Sequence, residues 1–164
     1  MTEQVDRIIA QWNAEKPHLD VSPMAVIGRL SRAAAAIDTR LTATFAKHGL
    51  DSSSFDALAT LLRSGRPYSL TPAALARDAM ISTSAVAQRL NKLERRGLVA
   101  RTANPDDGRG TLVTLTETGK FVIDSALPDH LATERAVTSA LTEAEQAELA
   151  RLLQRLGDSA AETA

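Results

Sequence analysis

Cysteine is absent from the sequence. Its absence excludes disulfide bonds, metal sites built on thiolates, and oxidant sensing through cysteine chemistry. Aromatic residues are scarce, and Trp12 is the only tryptophan. Gly-rich phosphate loops and nucleophile elbows are also missing, which argues against an enzyme, and we expect no cofactor.

Long apolar runs are missing as well. No segment approaches the ~18 consecutive apolar residues of a membrane helix, and the N-terminus lacks the basic start and apolar core of a signal peptide. We therefore expect no membrane partner and a cytoplasmic protein. His18, His48 and His130 lie too far apart to form a metal-binding pair on one helix, so we expect them at the surface or an interface and predict no metal site.

Net charge is nearly absent too, at −1, which by itself argues against a nucleic-acid partner. The charge is unevenly distributed, however. From Arg63 to Arg101, eight basic residues stand against two acids, a net +6, whereas residues from Glu117 to Glu162 carry a net −5. The concentration of basic charge in the middle of the chain indicates nucleic-acid binding there.

The stretch from Ser82 to Gly97 predicts an amphipathic helix. Ser82 is a candidate N-cap and Gly97 a candidate C-terminal stop, and one stripe of apolar residues has the spacing of a buried face, namely Val86, Leu90 and Leu93. The other residues include hydroxyls, amides and cations that can bond base edges and phosphates. The candidate DNA contacts on this helix are Ser82, Thr83, Ser84, Gln88, Asn91, Lys92 and Arg95.

The flanking sequence completes a winged helix-turn-helix. A short helix is predicted from Thr71, with Pro72 at its first position, and Met80 and Ile81 form a tight turn before the next helix. Two β-prone runs follow, residues 98–102 and 111–115, joined by a polar turn that predicts a hairpin wing. Arg109 at the wing tip is either a solvated turn residue or a minor-groove probe, and the adjoining helix-turn-helix favours the probe.

The remaining chain predicts helices on both sides of this region. We expect a mainly α protein whose only β structure is the wing, with N-terminal helices in 1–50, the winged helix-turn-helix in 51–119 and C-terminal helices in 120–164. Pro128 should interrupt or kink the first C-terminal helix. The predicted helices span residues 1–16, 22–47, 52–63, 116–127, 129–141 and 142 onward, the last opened by a capping box at Thr142 and Glu145.

This arrangement resembles the MarR family of bacterial transcription regulators. The resemblance is carried by Leu75-Ala76, residues 82–98, the wing tip 106–109, and the segment from Val113 to Gly119. It implies a homodimer, formed by the helices at both chain ends, that binds double-stranded DNA and releases it when a small molecule binds.

A second resemblance is to the urate-responsive branch of that family, which has an additional N-terminal helix. Its motif positions fall on Trp12, Asp56, Arg89 and Arg101. An aromatic face, a carboxylate and two guanidinium groups suit a planar anionic heterocycle. Three of these residues also have a simpler interpretation: Trp12 packs between helices, and Arg89 forms a structural salt bridge with a buried Asp56. One departure is that the long helix 22–47 lacks the histidine found in the branch.

The sequence thus favours a ligand-responsive repressor that binds a pseudo-palindromic operator as a homodimer. The alternative is a winged-helix module for protein–protein assembly. Cations such as Lys92, Arg95 and Arg109 favour DNA, because a partner-binding helix should expose more apolar surface.

Overall fold

The computed structural model describes residues 2–79, 83–105 and 107–162, with backbone alone for residues 2, 83–85 and 107–109. Within them the protein is mainly helical with one small sheet, as predicted. The elements in chain order are α1 (Thr2–Glu15), α2 (Ser22–Lys47), α3 (Ser52–Arg63), β1 (Ser69–Leu70), α4 (Pro72–Asp78), α5 (Thr83–Arg95), β2 (Val99–Asn104), β3 (Asp107–Leu115), α6 (Glu117–Thr138) and α7 (Glu143–Glu162).

The predicted helix boundaries are largely confirmed by their caps. Asp51 accepts the N–H of Ser54 at 2.7 Å to begin α3, and Thr71 accepts the N–H of Ala74 at 3.1 Å to begin α4. Pro128 was expected to interrupt or kink the helix, and the interruption was wrong, because α6 continues through it; a kink there stays a prediction. Proline costs this helix one hydrogen bond, but α6 packs against α3, and this packing stabilises the continuous helix.

The sheet contains one strand that the sequence did not predict. β1 pairs antiparallel with β3, and β3 pairs antiparallel with β2, which gives the order β1-β3-β2. Ser69 and Thr114 also share a side-chain hydrogen bond of 2.6 Å. A two-residue strand is too short to show an alternating pattern, so only its partner identifies it.

Two compact units divide the chain, Met1–Ala43 and Thr44–Ala164. In the first unit, Val5 and Val21 are buried, and Arg29 forms an ion pair with Asp6. The assignment of separate tasks to residues 1–50, 51–119 and 120–164 stays a prediction.

The second unit has its core among α3, α4, α5, α6 and the sheet. Leu58, Leu61 and Leu75 are fully buried there. Gly119 permits a close approach between α6 and the start of β2, because a Cβ at this position would lie 1.9 Å from the Leu98 carbonyl oxygen. Thr116 strengthens this junction, since its hydroxyl accepts the N–H of Gly119 and donates to the Gly97 carbonyl at 2.7 Å.

Helix α7 begins with the predicted capping box. Glu145 accepts the N–H of Thr142 at 2.8 Å, and Thr142 accepts the N–H of Glu145 at 3.3 Å. No residue of α7 is buried, although the structure describes the whole helix. Its four exposed leucines are Leu149, Leu152, Leu153 and Leu156. Among the described residues, none of the helices is long and apolar enough to cross a membrane.

Candidate nucleic-acid interface and effector site

Helix α5 has the two faces that its sequence predicted. The stripe of Val86, Leu90 and Leu93 is buried to 1% exposure or less. The helix ends at Gly97, which has φ +67°, while Leu98 donates to the Leu93 carbonyl at 3.0 Å and Gly97 to that of Glu94 at 2.8 Å. This left-handed glycine cap fixes where α5 stops and β2 begins.

The polar side of α5 lies in solvent. Four of the candidate DNA-contacting side chains are exposed: Gln88, Asn91, Lys92 and Arg95. Thr83 and Ser84 lie in the first turn of α5 and Arg109 lies in β3, but their side chains are outside the described part of the structure. Ser82 and the predicted turn at Met80 and Ile81 lie outside the described residues altogether.

An open groove of about 540 Å³ lies between the start of α3 and the middle of α5. Ser53 lines it on the α3 side, and the α5 side carries two amides and three cations: Gln88, Asn91, Arg89, Lys92 and Arg95. Hydroxyl, amide and guanidinium donors at this density suit phosphate oxygens.

Lys92 has a partner that the sequence did not indicate. Its ammonium forms an ion pair with Asp51, the cap of α3. Partial burial opposes ionisation of Asp51, but hydrogen bonds from Lys92, Ser54 and Ser53 outweigh it and hold the pKa of that carboxyl well below its usual range. Lys92 therefore also connects α5 to α3. The contact between Asp51 and Lys92 spans 41 residues of sequence and leaves no local signal.

The expected salt bridge between Arg89 and a buried Asp56 was wrong. Asp56 is exposed, and among the described residues the buried Nη1 of Arg89 has no hydrogen-bond partner. Desolvation raises the pKa of Asp56, and the positive charges of Arg89, His130 and Arg63 oppose that rise. The two residues thus influence each other electrostatically without a direct contact, because Arg89 faces the groove beside Ser53.

Arg101 occupies the base of the wing, as the resemblance implied, but it is already paired. Its Nη1 lies 3.4 Å from Glu94 Oε2, and its Nη2 donates to the Ala87 carbonyl at 3.5 Å. Both partners belong to α5, so Arg101 connects the recognition helix to β2. No local pattern indicated Glu94 as this partner.

The other predicted residues differ in their surroundings. Trp12 belongs to the first compact unit and is 41% exposed, so its side chain is not part of a buried core. His48 and His130, expected at a surface or interface, are mostly buried and pair with Asp129 and Glu134 at 2.9 and 3.2 Å.

The sequence did not predict an aromatic cluster that surrounds His130. The rings of Phe45 and Phe55 stack with centroids 4.3 Å apart, and the His130 ring lies 4.7 Å from that of Phe55. These side chains come from α2, α3 and α6, so no local pattern unites them. The cluster lies directly beside Asp56 in the sequence of α3.

Helices α4 and α5, the second with a polar outward face, are followed by a β-hairpin, and this order defines the class of a winged-helix DNA-binding protein. The MarR family model matches residues 48–110. The chain is 39% identical to the HTH-type transcriptional regulator PecS of Dickeya dadantii, over 93% of this chain and 92% of that protein. It is 30% identical to the regulator MhqR of Bacillus subtilis, over 78% of this chain and 86% of that protein.

Solved structures agree with this class. Sco3205, a MarR family transcriptional regulator from Streptomyces coelicolor in complex with DNA, superposes with a TM-score of 0.79 at 25% identity, over 86% of this chain and 92% of that one. The chain belongs to the MarR family of transcription regulators, and it is a DNA-binding regulator rather than an enzyme.

Proposed function

We propose that this protein is a homodimeric repressor that binds a pseudo-palindromic operator and releases it when a small planar anion such as urate binds. The observation that carries the proposal is the two-sided α5. Its apolar stripe of Val86, Leu90 and Leu93 is buried, and its amides and cations stand in solvent where a DNA groove could receive them.

The chemistry of α5 favours DNA over a protein partner. Gln88 and Asn91 offer bidentate amides for base edges, and Arg95 offers a guanidinium for phosphates. A helix used for protein assembly would expose apolar anchors instead. The exposed side chains described on α5 are polar or charged, apart from Ala87.

A salt titration tests DNA binding. The logarithm of the association constant should fall linearly with the logarithm of salt concentration, with a slope of roughly −0.9 per phosphate neutralised. Arg95→Gln should make that slope shallower by roughly 0.9, the contribution of one phosphate. Arg155→Gln on α7 removes the same charge from an exposed site far along the chain and should leave the slope unchanged. Affinity independent of salt would contradict DNA binding.

Base recognition is tested separately. Asn91→Ala should lower discrimination between operator and random DNA, because it removes amide donors and acceptors without changing charge. Arg95→Gln should weaken binding to both DNAs similarly. Equal discrimination by the wild type and Asn91→Ala would remove Asn91 from base readout.

Helix α7 supports the homodimer. Its leucine stripe is left in solvent by the chain itself, and an apolar stripe of this length needs a covering surface. A second copy would supply one through a symmetric interface. Sedimentation at micromolar concentration should find a dimer, and a monomer would contradict this part of the proposal.

The effector site is supported by Arg89, Arg101 and Asp56 within the second unit. The buried Nη1 of Arg89 lacks a partner among the described residues, and Arg101 bonds α5 weakly, at 3.4 and 3.5 Å. An anion competing for these guanidinium groups would act on the helix that reads DNA. Ligand and operator would then weaken each other's binding reciprocally.

Titration with urate, followed by Trp12 fluorescence and by operator release, tests the effector site. The double variant Asp56→Asn, Arg101→Ala should lose both responses, whereas Glu94→Gln, which removes only the ion pair of Arg101, should keep them. Asp38→Asn combined with Arg155→Ala is a control with the same charge changes at exposed positions. A full response in the first double variant would place the sensor elsewhere.

A further inference from the structure

We propose that Asp51 limits DNA affinity, because its carboxylate competes with DNA phosphate for the ammonium of Lys92. The inference rests on the proposed binding of DNA by α5 and concerns the strength of that binding. Three cations line the groove between α3 and α5, namely Arg89, Lys92 and Arg95. Within the described part of the chain, Lys92 is the one of these three that forms an ion pair with a carboxylate.

The carboxylate of Asp51 is held in place by three donors. Its Oδ1 accepts the backbone N–H of Ser54 at 2.7 Å and the hydroxyl of Ser53 at 2.8 Å, and its Oδ2 accepts the ammonium of Lys92. The two bonds to Oδ1 come from the first turn of α3, so they do not depend on Lys92. Asp51 is therefore a fixed anion beside the groove, and Ser53, to which it is bonded, lines that groove.

Lys92 is the member of the pair that can change its partner. The side chains of Lys92 and Asp51 are 49% and 45% exposed, and an ion pair this exposed contributes little to stability. The lysine ammonium is a point charge on a flexible four-carbon chain, so it can turn from one anion to another without a change in the backbone. A phosphate in the groove and the Asp51 carboxylate thus compete for the same positive charge.

The competitor is ionised under ordinary conditions. Partial burial opposes ionisation of Asp51, but its three hydrogen-bond donors hold the pKa of this carboxyl below its usual range. At neutral pH the pair with Lys92 is therefore neutral as a whole, and Lys92 neutralises less than one phosphate. Because every DNA sequence presents the same phosphates, the resulting loss of affinity does not depend on base sequence.

Salt titrations of the full-length protein with a mixed-sequence DNA duplex test the inference. Asp51→Asn keeps the capping oxygen and removes the charge. We expect this variant to bind the duplex about two- to fivefold more tightly than the wild type. Its log–log salt slope should be steeper by roughly 0.9, the contribution of one further phosphate. Asp51→Ser also keeps a capping oxygen without the charge and should behave in the same way.

Two further variants locate the effect. Asp124→Asn is the matched control, because it removes a carboxylate that pairs with Lys120 inside α6, outside the groove. It should leave the affinity and the slope unchanged. In a Lys92→Gln background, Asp51→Asn should no longer change the slope, since the charge that it frees is gone.

Three results would overturn the inference while leaving DNA binding intact. The first is an equal slope in the wild type and Asp51→Asn. The second is weaker binding by Asp51→Asn with a wild-type circular dichroism spectrum, because Asp51 would then position Lys92 for DNA. The third is an equal change of slope in the Lys92→Gln background. A wild type whose affinity is independent of salt would instead contradict the proposed function, and the inference with it.

Discussion

Helices α3 and α7 are both amphipathic, yet the second unit buries one and leaves the other in solvent. Six residues of α3 are buried, whereas none of α7 is, over its full described length. Leu61 of α3 is 0% exposed, and Leu153 of α7 is 41% exposed. An amphipathic pattern therefore predicts that a helix has a face to cover, but not whether the same chain covers it.

The difference separates two sources of stability. Burial of α3 belongs to the folding of each chain, whereas burial of α7 would depend on association and hence on protein concentration. If α7 packs against a second copy, truncating its leucines should affect the dimer before it affects the fold. Substitutions on the two helices test this distinction.

The largest expected effect is at the core of α3. Leu61→Ala should lower the free energy of unfolding by about 2–5 kcal/mol, because it removes a fully buried side chain and leaves a cavity. Chemical denaturation at a fixed protein concentration measures this change.

Leu153→Ala is the matched change on α7. It should raise the dimer dissociation constant about tenfold or more, since symmetry places the lost side chain in the interface twice. Its unfolding midpoint should approach that of the wild type as protein concentration rises. A loss of stability as large as that of Leu61→Ala, at every concentration, would contradict the distinction between the helices.

Two glycines give the next contrast. Gly119→Ala should destabilise the fold by about 1–3 kcal/mol, because its Cβ would meet the backbone carbonyl of Leu98, which cannot rotate away. Gly157→Ala on α7 meets nothing within 4 Å and should stabilise the helix by about 0.5–1 kcal/mol. Thermal unfolding compares the two. Equal tolerance at both positions would mean that the Gly119 approach is not required for folding.

Local signals predicted most of the fold. Caps at Thr71, Thr116 and Thr142, and the stop at Gly97, depend on neighbours within a few residues, and the structure confirms each of them. β1 was missed because only its pairing with β3 defines it. The interruption expected at Pro128 failed for the opposite reason, since tertiary packing overrode a local preference.

The candidate site was less predictable, because its partners are distant in sequence. The stripe of α5 showed which side chains would be exposed, but the pairing of Lys92 with Asp51 and of Arg101 with Glu94 depends on how the elements pack. The same holds for Arg89, which faces the groove and not Asp56. Residue type predicted the chemistry available at the site, and only the fold determined which groups meet.

The smallest expected effect concerns the ion pairs of the same two helices. Asp51 connects the start of α3 to Lys92, and its carboxyl has a pKa below the ordinary value of 3.8. A lowered folded-state pKa adds stability above the unfolded pKa, and this contribution is lost as pH falls below about 4. Asp51→Asn keeps the capping oxygen and removes the charge. Because the pair is half exposed, we expect a loss of about 0.2–1 kcal/mol at pH 7, shrinking towards pH 3 in denaturation curves.

Glu148 of α7, whose pKa is lowered by Arg151 within the same helix, is the control: Glu148→Gln should change the stability less, because it connects no two elements. A difference between wild type and Asp51→Asn that stays constant from pH 7 to pH 3 would show that the Lys92 pair does not connect α3 and α5 in solution.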